Sequence, residues 1–348
     1  MLDPRARLTE AGRRTRRTVA RGARTVCSPA GLRGTGQELA WVAAHAAMYP
    51  LGVLQEKSRG SARESAERFT LDDLPPVQRG LLMGDVVAAG TPILLVHGLV
   101  DNRSIFTLLR RALQRRGFGR VLTLNYSPFT QDVQTAAQRL ERLVERTCEE
   151  TGYERVHVVG HSLGGPIALA LALVAPERVR SLALLCTVAC GRDATRLSGR
   201  MLWLGLRSSV GTRRLRRRAF LEIVLPREAV RRSESDELAA RLEPLFGHDL
   251  AERPPVAMKQ FRALRAYDAS ARLGELAGVP TLVVSAEHDP IAPPRFGRAL
   301  AAGVSGARFV EIAGASHGVT IQCAEPINAL LQEHLTRAEE QSPRLTEA

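Results

Sequence analysis

Ser162 stands at the centre of Gly160-His161-Ser162-Leu163-Gly164, a G-x-S-x-G pattern. A serine hydroxyl is a weak nucleophile unless it is lifted onto an exposed turn beside a base. Glycines two places to either side allow a sharp turn that larger side chains would block. The base in turn needs a carboxylate to orient it. His317, in Gly314-Ala315-Ser316-His317-Gly318, is the best base, because its flanking glycines leave a loop free to reach a sheet edge. Asp289, in Glu287-His288-Asp289-Pro290, is the best acid, with Glu287 and Asp193 as outside candidates. The oxyanion of a tetrahedral intermediate needs two aimed backbone N–H groups. Leu163, the residue after the nucleophile, supplies one, and Leu99, after His97-Gly98, supplies the other. His161 is expected to support the turn and His97 to shape its loop. His157 alternates with apolar positions and reads as half-buried scaffold, and His288 and His334 read as surface residues.

The elements that must carry these residues follow from hydrophobic periodicity. Residues 92–96 (PILLV) form a continuous apolar run of the kind found in buried parallel strands. Further strands are expected over 121–126, 156–159, 182–187, 281–285 and 308–312. Helices are expected over 106–115, 132–150, from 166 to about 173, and 325–337. Strands alternating with helices imply an open, mostly parallel sheet covered on both faces. Ser162, Asp289 and His317 then all follow strand ends, where such sheets place their sites. Residues 191–270 are too long for a plain loop and read as an inserted helical cap between two parts of one core, 91–190 and 271–338. Met201, Trp203 and Leu204 in this cap are expected to line the substrate site.

The stretches PILLVHGLVDNRSIF, VHVVGHSLGG, VVSAEHDPIAPP and GASHG together resemble the α/β-hydrolase superfamily. The pairing of HGL with GHSLGG is similar to bacterial triacylglycerol lipases and esterases. The resemblance implies the α/β-hydrolase sheet, Ser162–Asp289–His317 as triad, and Leu99 and Leu163 as oxyanion hole. The implied activity is a serine carboxylic ester hydrolase that cleaves apolar acyl esters through an acyl-enzyme. An acyltransferase, a cofactor-free haloperoxidase, or a membrane-binding protein that merely keeps the fold would share these residues. Serine at 162 argues against the dehalogenases and epoxide hydrolases of the superfamily, whose nucleophile is aspartate. No metal or organic cofactor is implied.

The formal net charge of +13 is concentrated in two places. Residues 1–35 carry nine arginines against Asp3 and Glu10, and residues 192–218 carry nine against Asp193. Such segments are either solvated or drawn to an anionic surface. Residues 1–35 read as a disordered arm, 36–90 as an apolar helix followed by a linker, and 339–348 as a tail. The apolar stretch 39–54 is shorter than the roughly 20 residues a membrane span needs and contains Pro50. It reads as a helix packed on the body or lying in a membrane interface. A cytoplasmic location with peripheral membrane contact is expected. Arg13-Arg14 and Arg16-Arg17 lack the closely following apolar run that export requires. The cysteines Cys27, Cys148, Cys186, Cys190 and Cys323 have neither disulfide nor zinc spacing. No nucleic-acid-binding signature is present. The expected partner is a small-molecule or lipid ester; oligomeric state is not encoded in these patterns.

Overall fold

The computed structural model describes residues 90–98, 106–115, 118, 120–124, 132–195, 198–246, 249–252 and 257–341. Six parallel strands form one sheet in the order β2-β1-β3-β4-β5-β6. They are β1 (Ile93–Val96), β2 (Val121–Leu124), β3 (Val156–His161), β4 (Val179–Leu185), β5 (Thr281–Ala286) and β6 (Arg308–Ile312). The unbroken apolar runs have a direct cause. Leu94, Val96 and Val158 enter the core on one face of the sheet, and Ile93, Leu95 and Val159 enter the core on the other. A strand covered on both faces has no solvent side on which to place polar residues.

The first of these cores is closed by α2 (Val133–Thr151) and α3 (Gly164–Val174), the second by α1 (Thr107–Arg115) and, at the end of the chain, a helix over Ala324–Glu340. Helix α2 starts where the Asp132 side chain accepts the Thr135 N–H at 2.6 Å and stops at Gly152, whose φ is 75°. Helix α3 (GGPIALALALV) is buried along its whole first ten residues, which explains why it lacks a polar stripe.

Between β4 and β5 the chain forms six helices among the described residues: α4 (Gly191–Thr195), α5 (Gly199–Arg207), α6 (Arg213–Val224), α7 (Arg227–Arg232), α8 (Ser235–Phe246) and α9 (Ala257–Ala266). The insert closes on itself at its base. Gly191 N–H donates to Tyr267 O at 2.9 Å, Ala269 N–H donates to Ala189 O at 3.0 Å, and Cys190 pairs with Asp268 in an antiparallel bridge. The arginine-rich run of α6 is largely neutralised inside the insert. Arg217 meets Glu243 at 2.8 Å, Asp249 at 3.0 Å and Asp236 at 3.2 Å. Arg213 pairs with Asp249, Arg214 with Glu234, and Arg218 with Glu222. Four of the nine arginines in 192–218 thus face carboxylates of the protein itself, which reduces what remains for an outside anion. The arm 1–35 and the stretch 39–54 lie outside the described residues, as does most of the tail. Among the described residues no helix is long and apolar enough to cross a membrane.

After β5 come α10 (Pro294–Gly303), β6, α11 (Val319–Gln322) and α12 (Ala324–Glu340). Helix α12 corrects the sequence reading of two histidines. His334 is buried, not at the surface, because its face of α12 packs on the start of β4. His157 is fully buried. Its Nδ1 lies 2.8 Å from Ser181 Oγ, and its Nε2 lies 3.0 Å from Glu339 Oε1, which Arg180 also approaches at 3.6 Å. Burial pushes the His157 pKa below its ordinary value despite the pull of Glu339. Burial, then the neighbouring His157, brings His334 down to about 4. Burial would raise the Glu339 carboxyl, but His157 and Arg180 outweigh it and hold it low.

All three groups therefore bind protons more readily in the unfolded chain, so stability falls as pH falls. The loss from His334 begins below its unfolded value near 6.5 and is complete at about 4, and amounts to about 3 kcal/mol. Urea denaturation across this window is expected to show a falling midpoint, and His334→Gln is expected to flatten the fall.

Candidate active site

Strand β3 ends at His161 and α3 begins at Gly164, so Ser162 occupies the turn between them. Its φ is +55°, in the left-handed region that L residues avoid. Neighbouring strands hold it there. Ser162 N–H donates to Leu185 O at 3.0 Å at the end of β4, and Thr187 Oγ1 donates to Ser162 O at 2.7 Å. The glycines are dictated by close approach. A Cβ at Gly160 would sit 2.5 Å from Gly164 O, and one at Gly164 would sit 2.0 Å from Val96 O.

His317 and Asp289 are brought to this turn from distant parts of the chain. His317 Nε2 lies 3.0 Å from Ser162 Oγ, and His317 Nδ1 lies 2.8 Å from Asp289 Oδ2. An ionised carboxylate only accepts, so Nδ1 carries the proton and Nε2 is left to accept from the serine hydroxyl. Asp289 is almost fully buried. Its Oδ1 accepts the N–H groups of Ile291 at 2.8 Å and Ala292 at 2.9 Å. Burial alone would raise its pKa, but the charge and hydrogen bond of His317 and these two amides hold it below its ordinary value. The acid therefore stays ionised beside the histidine.

The loop carrying His317 is tied on three sides. Gly314, at φ 65°, donates its N–H to Glu287 Oε2 at 2.8 Å. Ser316 N–H donates to Gln322 Oε1 at 2.9 Å. Gly318 N–H donates to Val224 O at 2.8 Å, which links the loop to the last turn of α6. Glu287 is thus an exposed loop brace, and Asp193, in α4, lines a neighbouring cavity of about 500 Å³ together with His288, Asp289 and Ser316.

His161 does more than support its own turn. Its Nε2 donates to the backbone carbonyl of His317 at 3.0 Å, across 156 positions of sequence. No spacing rule announces such a contact. Replacing His161 with alanine removes the donor and frees the His317 loop. A misplaced base costs about 10- to 100-fold in rate, so kcat for ester turnover is expected to fall by that amount with little change in KM.

Leu163 is buried at the first turn of α3, and among the described residues no acceptor takes its N–H. The amide is thus available beside Ser162 at a helix N-terminus, where the backbone dipoles favour negative charge. Leu99 lies outside the described residues; the preceding His97 is buried, with Nδ1 3.0 Å from Gly98 O.

Of the three cap residues expected at the substrate site, Met201 and Leu204 pack with Ala219 in a small cluster, against which Ile291, two residues after Asp289, also packs. Trp203 is 57% exposed, with the Arg207 guanidinium 5.5 Å over its ring. Helix α5 turns one apolar side inward and the other outward, and periodicity alone does not tell which side meets a substrate. Among the described residues, one cluster has the donor set of a metal site: Cys186, Asp289 and His317. In it Asp289 and His317 are already engaged with each other.

A family model described as the alpha/beta hydrolase fold matches residues 91–322. A putative carbamate hydrolase RutD from Variovorax paradoxus is 33% identical over 215 residues, covering 60% of this chain and 75% of that protein. A pimeloyl-[acyl-carrier protein] methyl ester esterase from Neisseria meningitidis is 27% identical over 248 residues, covering 69% of this chain and 92% of that protein. Among solved structures, a putative non-heme bromoperoxidase, BpoC, from Mycobacterium tuberculosis aligns with a TM-score of 0.60 at 20% identity, over 72% of this chain and 93% of that one. An enol-lactonase from Burkholderia xenovorans aligns with a TM-score of 0.53 at 24% identity, over 71% of this chain and 92% of that one.

Proposed function

Since the chain belongs to the alpha/beta hydrolase family, we propose that it is a serine hydrolase of carboxylic esters. The observation that carries this reading is the unbroken hydrogen-bonded line from Ser162 through His317 to the ionised Asp289. In the acylation step His317 Nε2 takes the Ser162 proton while Oγ bonds to the ester carbonyl carbon. The carbonyl oxygen gains negative charge and is held by the Leu163 N–H, with a second donor expected from Leu99. Collapse of the intermediate breaks the bond to the alkoxy oxygen, which leaves with the proton held on His317. Water then loses a proton to His317 as its oxygen bonds to the acyl carbon, the carbon–Oγ bond breaks, and His317 returns the proton to Ser162 as the acid leaves. Asp289 stays ionised throughout and stabilises the imidazolium.

Apolar acyl esters are the favoured substrates. The insert that contacts the His317 loop carries Leu202, Trp203, Leu206 and Val210 exposed, apolar surface of the kind that suits an apolar acyl chain better than a charged one. Hydrolysis of p-nitrophenyl esters from acetate to palmitate tests the reading. Turnover rising toward long chains is expected; turnover confined to acetate and butyrate would assign a small-pocket esterase instead. The relatives' names keep carbamates and other acyl compounds among the control substrates.

A further inference from the structure

Two non-glycine residues among the described ones have positive φ: Ser162 at 55° and Cys186 at 47°. They follow the ends of adjacent strands, β3 and β4. A left-handed conformation costs a side-chain-bearing residue roughly 1–2 kcal/mol, and such strain collects where a side chain is needed in one place. For Ser162 the need is evident. Cys186 is fully buried, and its N–H is fixed to Val284 O at 2.8 Å. Its Sγ, a carboxylate oxygen of Asp289 and a ring nitrogen of His317 all lie within 4.8 Å of one another. The backbone twist at residue 186 thus delivers a thiol beside the acid of the proposed triad.

The Asp289 carboxylate takes two backbone N–H groups on Oδ1 and one imidazole N–H on Oδ2. Two oxygens together offer about four lone-pair sites, so room remains for one further donor. Burial, and then the Asp289 charge, raise the Cys186 pKa well above its ordinary value, so the sulfur keeps its proton and is a donor.

We propose that Cys186 is a positioning residue for the proposed reaction, its S–H donating to the Asp289 carboxylate and holding it in line with His317. The assignment rests on the serine-hydrolase reading above. Cys186 touches no reacting atom; it acts through Asp289.

Three variants separate the thiol from the strain. Cys186→Gly removes both, Cys186→Ala removes the thiol and keeps the strain, and Cys186→Ser keeps a donor. The probe is diethyl p-nitrophenyl phosphate. With it Ser162 Oγ forms a bond to phosphorus, the aryl–oxygen bond to phosphorus breaks, p-nitrophenolate leaves, and His317 takes the serine proton. The release of p-nitrophenolate is followed with time. Loss of a hydrogen bond to a charged group predicts a slowing of about tenfold in both the Gly and the Ala variants. The Ser variant is expected within about twofold of the unaltered chain, with ester KM the same in all four proteins. Wild-type rates in the Gly and Ala variants would overturn the proposal. So would a Gly variant that is fast while Ala is slow, since the thiol would then serve only to hold the left-handed turn and not Asp289, or a Ser variant as slow as Ala. An unaltered chain that is not phosphorylated at Ser162 would remove the serine-nucleophile reading, and the role of Cys186 with it.

Discussion

Replacing Ser162 with alanine is expected to lower kcat for ester hydrolysis by about 10⁴- to 10⁶-fold. The hydroxyl sits 3.0 Å from the base that activates it, and among the described residues no other serine is hydrogen-bonded to the His317 ring. A water attacking without covalent catalysis would still profit from the Leu163 amide, so a small residual rate is expected above the uncatalysed one. Asp289→Asn is expected to fall near the lower end of the same range, about 10⁴-fold. An amide in place of the carboxylate can donate to Nδ1 and so stabilise the tautomer that presents a proton, not a lone pair, to Ser162. Both effects are read from single-turnover and steady-state assays on protein whose unfolding transition matches that of the unaltered chain. Melting should be nearly unchanged for Ser162→Ala, because alanine bears the same left-handed strain and the ties of residue 162 are made by its backbone.

The largest effect on stability is expected at Gly164. An added methyl group there would lie 2.0 Å from the carbonyl oxygen of Val96, the last residue of strand β1, and 2.6 Å from that of His97. Neither obstacle is a flexible side chain, so relief requires β1 and α3 to move apart. That movement would strain the β1–β3 pairing, where Val96 faces Gly160. Overpacking against backbone is expected to cost about 3–5 kcal/mol, a large share of an ordinary domain's stability. Chemical denaturation of Gly164→Ala beside Gly199→Ala makes the test. Gly199 lies in a helix, and a methyl group there meets nothing within 4 Å, so it is expected to stay close to the parent. If Gly164→Ala folds with parental stability, the close approach of the turn to β1 is not what requires glycine there.

The strands were legible because burial on both faces leaves no choice of residue: PILLV and VHVV read as β for the same reason that Leu95 and Val96 are fully buried. The turn at Ser162 was legible because its glycines stand in one short pattern and one of its clashes, Gly160 against Gly164, is local. Asp289 and His317 were legible as loop residues following strands, since parallel sheets gather strand ends along one edge. Features set by tertiary packing were hidden. His161 binds a carbonyl 156 positions away, and Cys186 gives no pattern to distinguish it from any buried thiol. His334 looked like surface because helix α12 has polar residues around it, including Glu333 and Glu339, yet its own face meets β4. Met201 and Leu204 were correctly apolar, but whether they line a site or fill the insert depends on how α5 sits on α6. Helix α10 went unread because its start, Pro293-Pro294, looks like a loop.

The clasp at Ala189–Gly191 and Tyr267–Ala269 bears on how this chain can be rebuilt. Because the two ends of the insert are fastened beside each other, the conserved quantity for the sheet is the gap between them and not the length of what lies beyond. Loop-closure entropy grows only with the logarithm of length, so a segment of about eighty residues costs the β4–β5 pairing only about 2 kcal/mol more than one of about eight. The helices beyond the clasp are tied to the core as well, since Leu221, Val224 and Phe246 join the cluster of Leu95 and Val159 and the Val224 carbonyl holds the Gly318 N–H, so a replacement segment must supply that apolar face as well as fit the gap.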